Sequence, residues 1–152
     1  MKNFIDSQAQ LIIQEGIKNG ITQACVDFAD KFGKHLCALD DRGRPSRDAL
    51  TTNQIRNFFS EIKRIQQSKI TNQGEQSAFL LIRPKLAYAE ARTLERSFKS
   101  RIKDFRAVVE LAHRAVDIKQ TDTNKMEQEF NNFVDFLEAI LAYHKSYGGS
   151  RV

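Results

Sequence analysis

Apolar residues recur near the C-terminus at alternating steps of four and three, and this pattern constrains the fold most strongly. The members of the series are Met126, Phe130, Phe133, Leu137, Ile140, His144 and Tyr147, followed by Gly148 and Gly149. Such steps keep one face of an α-helix turned to the same side, whereas a strand requires a period of two. The series therefore predicts a long amphipathic helix that ends at the glycine pair.

Other parts of the chain repeat the helical period. Apolar stripes of this kind lie within residues 5–17, 21–36, 51–65 and 94–119. Thr51 with Gln54 resembles a capping box, and Pro84 predicts another helix start because proline is favoured in a first turn. No segment alternates apolar and β-branched residues as a strand would. We therefore predict an all-α fold, a single-domain helical bundle of about five helices over residues 1–152.

Two segments interrupt the helical pattern. Residues 40–50 contain Gly43 and Pro45 among Asp and Arg side chains, which predicts a basic loop. Residues 148–152 follow the last predicted helix and are expected to form a short tail. A chain of 152 residues is long enough to bury one ordinary hydrophobic core, so one domain is expected.

The composition argues against several classes of protein. With 41% apolar and 28% charged residues, the chain has neither the signature of disorder nor an apolar run of about 20 residues for a membrane span. Residues 1–17 lack the basic flank and the continuous apolar run of a secretory signal. We therefore expect a cytoplasmic protein that has no membrane partner.

Positive charge is concentrated in the middle of the chain. The net charge is +5, but the segment from Arg42 to Arg106 contains 15 Lys and Arg against 6 Asp and Glu. Cations that neutralise phosphates release counterions, although a cationic helix face is often merely solvated. The uneven distribution favours a polyanionic partner.

Several of these cations have the spacing of a helix face. Arg56 and Lys63 are seven residues apart and are expected on one side of their helix. A second set steps by three, four and three, and consists of Arg96, Lys99, Lys103 and Arg106. Three further cations surround the predicted helix start at Pro84, namely Arg83, Lys85 and Arg92. Together they could converge on a phosphate chain.

Two other functions are alternatives at this stage. Arg106 and His113 match the loose arginine and histidine spacing of the HEPN helical ribonucleases, which would use general acid–base catalysis on the ribose 2′-hydroxyl. A helix-turn-helix DNA-binding regulator is the other alternative, but residues 40–46 form a longer loop than the turn of that motif.

Metal binding and other catalytic chemistry have little support. Cys25, His35 and Cys37 could be imagined as ligands, but the cysteines lie twelve apart on one predicted helix without a fourth ligand nearby. Both cysteines are expected to be small core residues. No phosphate-binding glycine loop, nucleophile elbow or paired-carboxylate motif is present. We therefore predict no enzyme, no metal site and no cofactor.

Aromatic residues outside the main stripes leave two interpretations open. Phe136 and Tyr143 widen the apolar arc of the last helix, which fits either a partner surface or a central helix covered by its neighbours. Tyr88 and Tyr143 could stack on bases, but a place in the core or in a subunit contact is the favoured interpretation.

Three segments, taken in order, resemble the motifs of the small subunit of type III-A CRISPR effector complexes, the Csm family. They are TTNQIRNFFSEIKRI at 51–65, RPKLAYAEAR at 83–92 and FVDFLEAILAYHKSYGG at 133–149. The resemblance implies a helical bundle that lies in several copies beside a guide-RNA filament and helps to hold target RNA in antiviral defence. It also implies a non-catalytic subunit, since RNA cutting belongs to the backbone subunit, and DNA cutting and cyclic oligoadenylate synthesis to the large one.

The same resemblance suggests partners and contact residues. The expected partners are target RNA and guide RNA within a ribonucleoprotein, other subunits of the complex, and further copies of this chain. The cations expected to bind RNA are Arg56 and Lys63 in the first motif, Arg83, Lys85 and Arg92 in the second, and Lys145 in the third. Because guide pairing reads the sequence, these cations need to hold only phosphates.

Overall fold

Six α-helices form the regular structure of residues 5–96 and 100–148, the part of the chain that this computed structural model describes, apart from the side chain of Arg96. They are α1 (Ser7–Asn19), α2 (Gln23–Leu36), α3 (Thr52–Ser68), α4 (Gln73–Arg96), α5 (Arg101–Arg114) and α6 (Thr123–Ser146). The same residues contain no strand, only an isolated bridge between Leu39 and Pro45. The predicted all-α fold is confirmed.

Side-chain caps define where four of these helices begin. In each case a side-chain oxygen accepts a backbone N–H from the first turn, and the residues are Asp6, Thr22, Thr51 and Asp122. At α3 the Gln54 side chain also accepts the backbone N–H of Thr51 at 2.9 Å, which completes the predicted capping box. A cap of this kind stabilises a helix by about 1 kcal/mol.

Helix α6 is the central element of the bundle. It contacts α1, α2, α3 and α5, and Phe130, Phe133 and Phe136 are all fully buried. Phe136 stacks on Phe28 of α2, with 6.1 Å between the ring centroids. The additional apolar surface that Phe136 gives α6 is therefore covered by α2, so the interpretation of Phe136 as part of a partner surface is wrong.

Helices α2 and α6 come into close contact at Gly33. A Cβ atom at this position would lie 2.7 Å from the Cβ of Tyr143 and 2.8 Å from the backbone nitrogen of His144. Two hydrogen bonds fix the same region, from Cys37 Sγ to the His144 carbonyl and from His144 Nε2 to the Leu50 carbonyl. The end of α6 therefore lies beside the start of α3.

Helix α4 passes through Pro84, so the helix start predicted at this residue is wrong. Proline inside a helix removes a hydrogen bond and costs about 3 kcal/mol. Buried side chains on both sides of the proline hold the helix to the core, in particular Phe79, Ile82 and Leu86. Tertiary packing thus overrides the local preference of the proline.

The predicted continuous helix from Leu94 to Lys119 is also wrong. Residues early in α4 face residues late in α5, because Phe79 stacks on His113. The two helices therefore form an antiparallel hairpin, with Ser100 as the N-cap of α5. Of the four cations predicted to share one face, Arg96 belongs to α4, Lys103 and Arg106 belong to α5, and Lys99 lies outside the described residues.

The segments predicted as loop and tail are only partly described. Residues 40–50 lie between α2 and α3, where Asp40 Oδ1 accepts the backbone N–H groups of Arg42 and Arg44. Of the predicted tail, only Gly148 is described, and residues 149–152 lie outside the described residues. Among the described helices, none combines the length and the apolar character that a bilayer crossing requires.

We expect Gly33→Ala to lower the free energy of unfolding by about 1–3 kcal/mol, because the new methyl group would overlap the backbone of α6. Urea denaturation followed by circular dichroism measures this change. Gly74→Ala is the matched control, since no atom lies within 4 Å of a Cβ there, and it should stabilise α4 by about 0.5–1 kcal/mol. Equal urea midpoints for the two variants would contradict the close contact.

Candidate nucleic-acid interface

The cations of the 83–92 segment lie on two sides of α4. Residues two positions apart in a helix point about 200° apart, so Arg83 and Lys85 face opposite sides. Lys85 and Arg92 are seven apart and share an exposed side with Tyr88, whose hydroxyl accepts from Arg92 Nη1 at 3.4 Å. The structure thus brings together two of the three cations expected to converge there, and separates Arg83 from them.

Tyr88 lies outside the core. Its side chain is 65% exposed, between Lys85 and Arg92 on the outer face of α4. Tyr143, in contrast, is half-buried against the hydrophobic core. Of the two tyrosines considered for base stacking, Tyr88 is the one that the fold presents to solvent, next to cations that can bind phosphates.

A groove between α3 and α4 runs beside Lys85. Its volume is about 380 Å³, and its floor is apolar, formed mainly by Phe58, Ile82, Leu86 and Phe105. Polar groups form the rim, where Gln54 Nε2 donates to Thr93 Oγ1 at 3.2 Å. Lys85 therefore borders a partly apolar depression.

Of the two α3 cations expected to bind RNA, Lys63 lies near α6. Arg56 is exposed, and the Lys63 ammonium lies 5.9 Å from the centre of the Phe59 ring. Burial and then the nearby Glu138 raise the pKa of Asp135 on α6, while Lys63 acts in the opposite direction. Lys63 is therefore close to Asp135 of α6, whereas Arg56 lies about two turns nearer the start of α3.

Lys145 lies at the same end of the bundle as the first turns of α3. It is exposed in the last turn of α6, and the neighbouring His144 bonds to Leu50 just before α3 begins. Arg56 is in the second turn of α3, so Lys145 and Arg56 belong to one end of the α3–α6 pair. Two motifs that are distant in sequence thus contribute cations to one region.

Arg106 is already bound by two carboxylates. Its Nη1 lies 2.7 Å from Glu90 Oε2 and its Nε lies 3.2 Å from Glu110 Oε1. Hydrogen bonds to Glu90 and then to Glu110 raise the pKa of the guanidinium. With its charge balanced within the fold, Arg106 is poorly suited either to a phosphate chain or to a catalytic role.

His113 is a core residue. Its side chain is only 2% exposed, its ring stacks on Phe79 at 3.8 Å, and its Nε2 donates to the Phe79 carbonyl at 2.7 Å. Burial chiefly lowers the pKa of His113 to about 4, and the nearby Arg83 and Arg114 act in the same direction. General acid–base catalysis favours a pKa near the working pH, so the environment of His113 does not support the HEPN alternative.

The three residues considered as metal ligands each bond to a different part of the bundle. Cys25 Sγ donates to the Ile12 carbonyl at 3.4 Å, and His35 Nε2 lies 2.6 Å from Asp104 Oδ2. Burial raises the pKa of Cys37 to about 11, which disfavours the thiolate that a metal requires. Within residues 5–96 and 100–148, no group of three metal-binding side chains is close enough to hold an ion.

A family model described as Csm2 Type III-A matches residues 22–150 of the chain. The matched region begins at the N-cap of α2 and includes all three motif segments, whereas α1 lies before it. No curated protein and no solved structure matches the chain.

We expect acid to destabilise the fold through His113. The pKa of His113 falls from about 6.5 in the unfolded chain to about 4 in the fold. The stability that the neutral ring contributes is therefore fully present above pH 6.5 and is lost as the pH falls toward 4. The loss between about pH 7 and pH 4 should be about 3 kcal/mol. Urea denaturation across this range would measure it.

The variant His113→Gln provides the control for this pH dependence. It removes the titrating ring but leaves His144, whose pKa is also lowered by burial, so the difference between the two profiles isolates His113. The variant should lose less stability than the wild type over the same range. Parallel profiles would show that His113 does not titrate in this way.

Proposed function

The chain belongs to the Csm2 Type III-A family, the small subunit of type III-A CRISPR effector complexes, and we propose that it holds target RNA by its backbone there without catalysing a reaction. The family match over residues 22–150 is the observation that carries this proposal. The proposed setting is antiviral defence in the cytoplasm, where the subunit also supports assembly of the complex.

The proposed partners are target RNA and guide RNA, the other subunits of the effector, and further copies of this chain. In such an assembly guide pairing selects the target sequence. A protein subunit then needs to hold only the phosphate backbone, which carries no sequence information directly. Lysine and arginine side chains are sufficient for this task.

The pairing of charges supports six cations as the proposed RNA contacts. Within the described ranges no salt bridge involves Arg56, Lys63, Arg83, Lys85, Arg92 or Lys145. By contrast, Arg64 binds Glu61 and Glu75, and Arg106 also binds two carboxylates. An arginine already neutralised by the fold gains less from a phosphate, so the unpaired cations are the better candidates.

The surroundings of Tyr88 favour single-stranded RNA. An exposed aromatic ring between Lys85 and Arg92 combines a stacking surface with two phosphate-binding groups. Stacking of a base on an aromatic side chain contributes about 1–3 kcal/mol and tolerates any sequence. This combination suits a subunit that must hold targets of many sequences.

We expect the tagged chain, purified gently from its native host, to be recovered in a particle of several subunits that contains short guide RNAs. Native mass spectrometry before and after ribonuclease treatment would identify the particle and its RNA. Recovery of the chain alone, with metal-independent RNA cleavage that disappears in His113→Ala, would overturn the proposal and support the HEPN alternative.

We expect Arg56→Gln with Lys63→Gln to weaken binding of the purified chain to single-stranded RNA equally for unrelated sequences. Each lost phosphate contact should reduce the slope of log K against log salt concentration by about 0.7. Filter binding at several salt concentrations measures the slope.

A double variant on α2, Lys31→Gln with Lys34→Gln, is the matched control for the salt experiment. It removes the same charge from two exposed positions outside the three motifs. Its slope should remain that of the wild type. Equal slopes for both double variants would mean that Arg56 and Lys63 contribute only general charge.

A further inference from the structure

A second basic site lies on the opposite side of α4 from Lys85 and Arg92. A cavity of about 360 Å³ opens there between α4 and the loop that follows α5. Its charged lining consists of Arg83, Arg114, Lys119 and Asp117, and His113 lies at its inner wall. The site is therefore distinct from the surface formed by Lys85, Tyr88 and Arg92.

The cavity carries an excess of positive charge. Arg83, Arg114 and Lys119 take part in no ion pair with any other residue of the described ranges. The one carboxylate in the lining, Asp117, accepts the backbone N–H of Lys119 at 2.9 Å and so stabilises the turn. Three cations against one carboxylate leave a field that attracts anions.

The loop that carries Asp117 and Lys119 is fixed to α6. Glu129, which is buried, accepts the backbone N–H of Asp117 at 2.9 Å and the side-chain amide of Gln120 at 3.0 Å. Lys18 of α1 forms an ion pair with the same carboxylate at 3.2 Å. The wall of the cavity is therefore held in place before any ligand arrives, which reduces the entropy lost on binding.

Arg83 supplies the strongest indication of a ligand. Its Nε is shielded from solvent and has no hydrogen-bond partner among the described residues, so a ligand in the cavity can reach only its terminal Nη groups. No ion pair of the described residues involves these groups. The negative end of the α5 dipole accounts for cations at Arg114 and Lys119, but not for an unpaired Arg83 on α4.

We propose that this cavity binds a phosphate group, which accepts a hydrogen bond from Arg83 and is neutralised by Arg114 and Lys119. The planar guanidinium of arginine presents donors in a fork that matches phosphate oxygens. The lip of the cavity includes Leu80, which is 46% exposed, and Ile118. An apolar lip next to a phosphate site suits the sugar of a nucleotide, so the ligand class is the phosphate of a ribonucleotide chain.

The assignment of this phosphate to RNA rests on the proposed function, but phosphate binding in the cavity can be tested without RNA. Inorganic phosphate is the probe, added to the intact chain at constant ionic strength adjusted with chloride. Nuclear magnetic resonance would follow the Arg83 Nε–H signal and the ring of His113. We expect saturable shifts of both signals, since both groups line the cavity.

Two variants decide whether the binding is specific. Arg83→Gln should weaken phosphate binding by roughly tenfold, because a charge-assisted hydrogen bond is lost. Lys31→Gln is the matched control, since it removes one positive charge from an exposed position of α2 that does not line the cavity, and it should bind phosphate like the wild type. Equal weakening by both variants, or shifts that never saturate, would overturn the cavity site.

A further variant keeps the test decisive if Arg83→Gln fails to fold. Arg114→Gln with Lys119→Gln changes two exposed side chains and should also lose at least about tenfold in affinity, because two of the three cations are removed. Retained affinity in this variant would overturn the proposal.

The source of the phosphate requires a second titration. Displacement of inorganic phosphate from the Arg83 signal by a short oligouridine would support a site on the RNA path. Phosphate binding that oligouridine does not displace would overturn RNA as the source. Failure of the phosphate titration alone would reject the cavity and leave the proposed RNA function to the salt experiment at Arg56 and Lys63.

Discussion

The burial of α6 on several sides is the constraint on which the rest of the structure depends. Phe79 of α4 meets Phe130 and Phe133 of α6 edge to face, with 5.6 Å between each pair of ring centroids, and stacks on His113 of α5. Edge-to-face pairs add about 0.5–1.5 kcal/mol each beyond the burial of area. Three helices are joined by one aromatic cluster, and α4 is held in place although Pro84 interrupts its hydrogen bonds.

The buried polar side chains of α6 bind specific partners in the segments around the helix. His144 bonds to the Leu50 carbonyl, and Glu129 binds Lys18 and the backbone of Asp117. These bonds tie the segments between helices to α6. The surface cations are consequently displayed from fixed helices and turns, so their relative positions are set before a partner binds.

Periodicity and capping predicted the parts of the fold whose causes are local. The apolar stripe of α6 that ends near Tyr147 and the capping box at Thr51 both depend on residues close together in sequence. The course of α4 was predicted wrongly because the packing of Phe79 on α6 outweighs the proline, and the break before Arg101 lacks any glycine or proline signal. In the candidate site, Arg83 and Lys85 are close in sequence, but the helix directs their side chains to opposite sides. One carboxylate that neutralises Arg106 belongs to Glu90, sixteen residues away in sequence, so no local pattern could predict this ion pair.

Six cations that form no salt bridge with any described residue also affect the free chain. Like charges of this kind repel one another across the surface, and dissolved salt screens that repulsion. Raising the ionic strength should therefore favour the folded free chain, while it should weaken the proposed binding of phosphates. Stability and the proposed RNA affinity are thus expected to respond to salt in opposite directions.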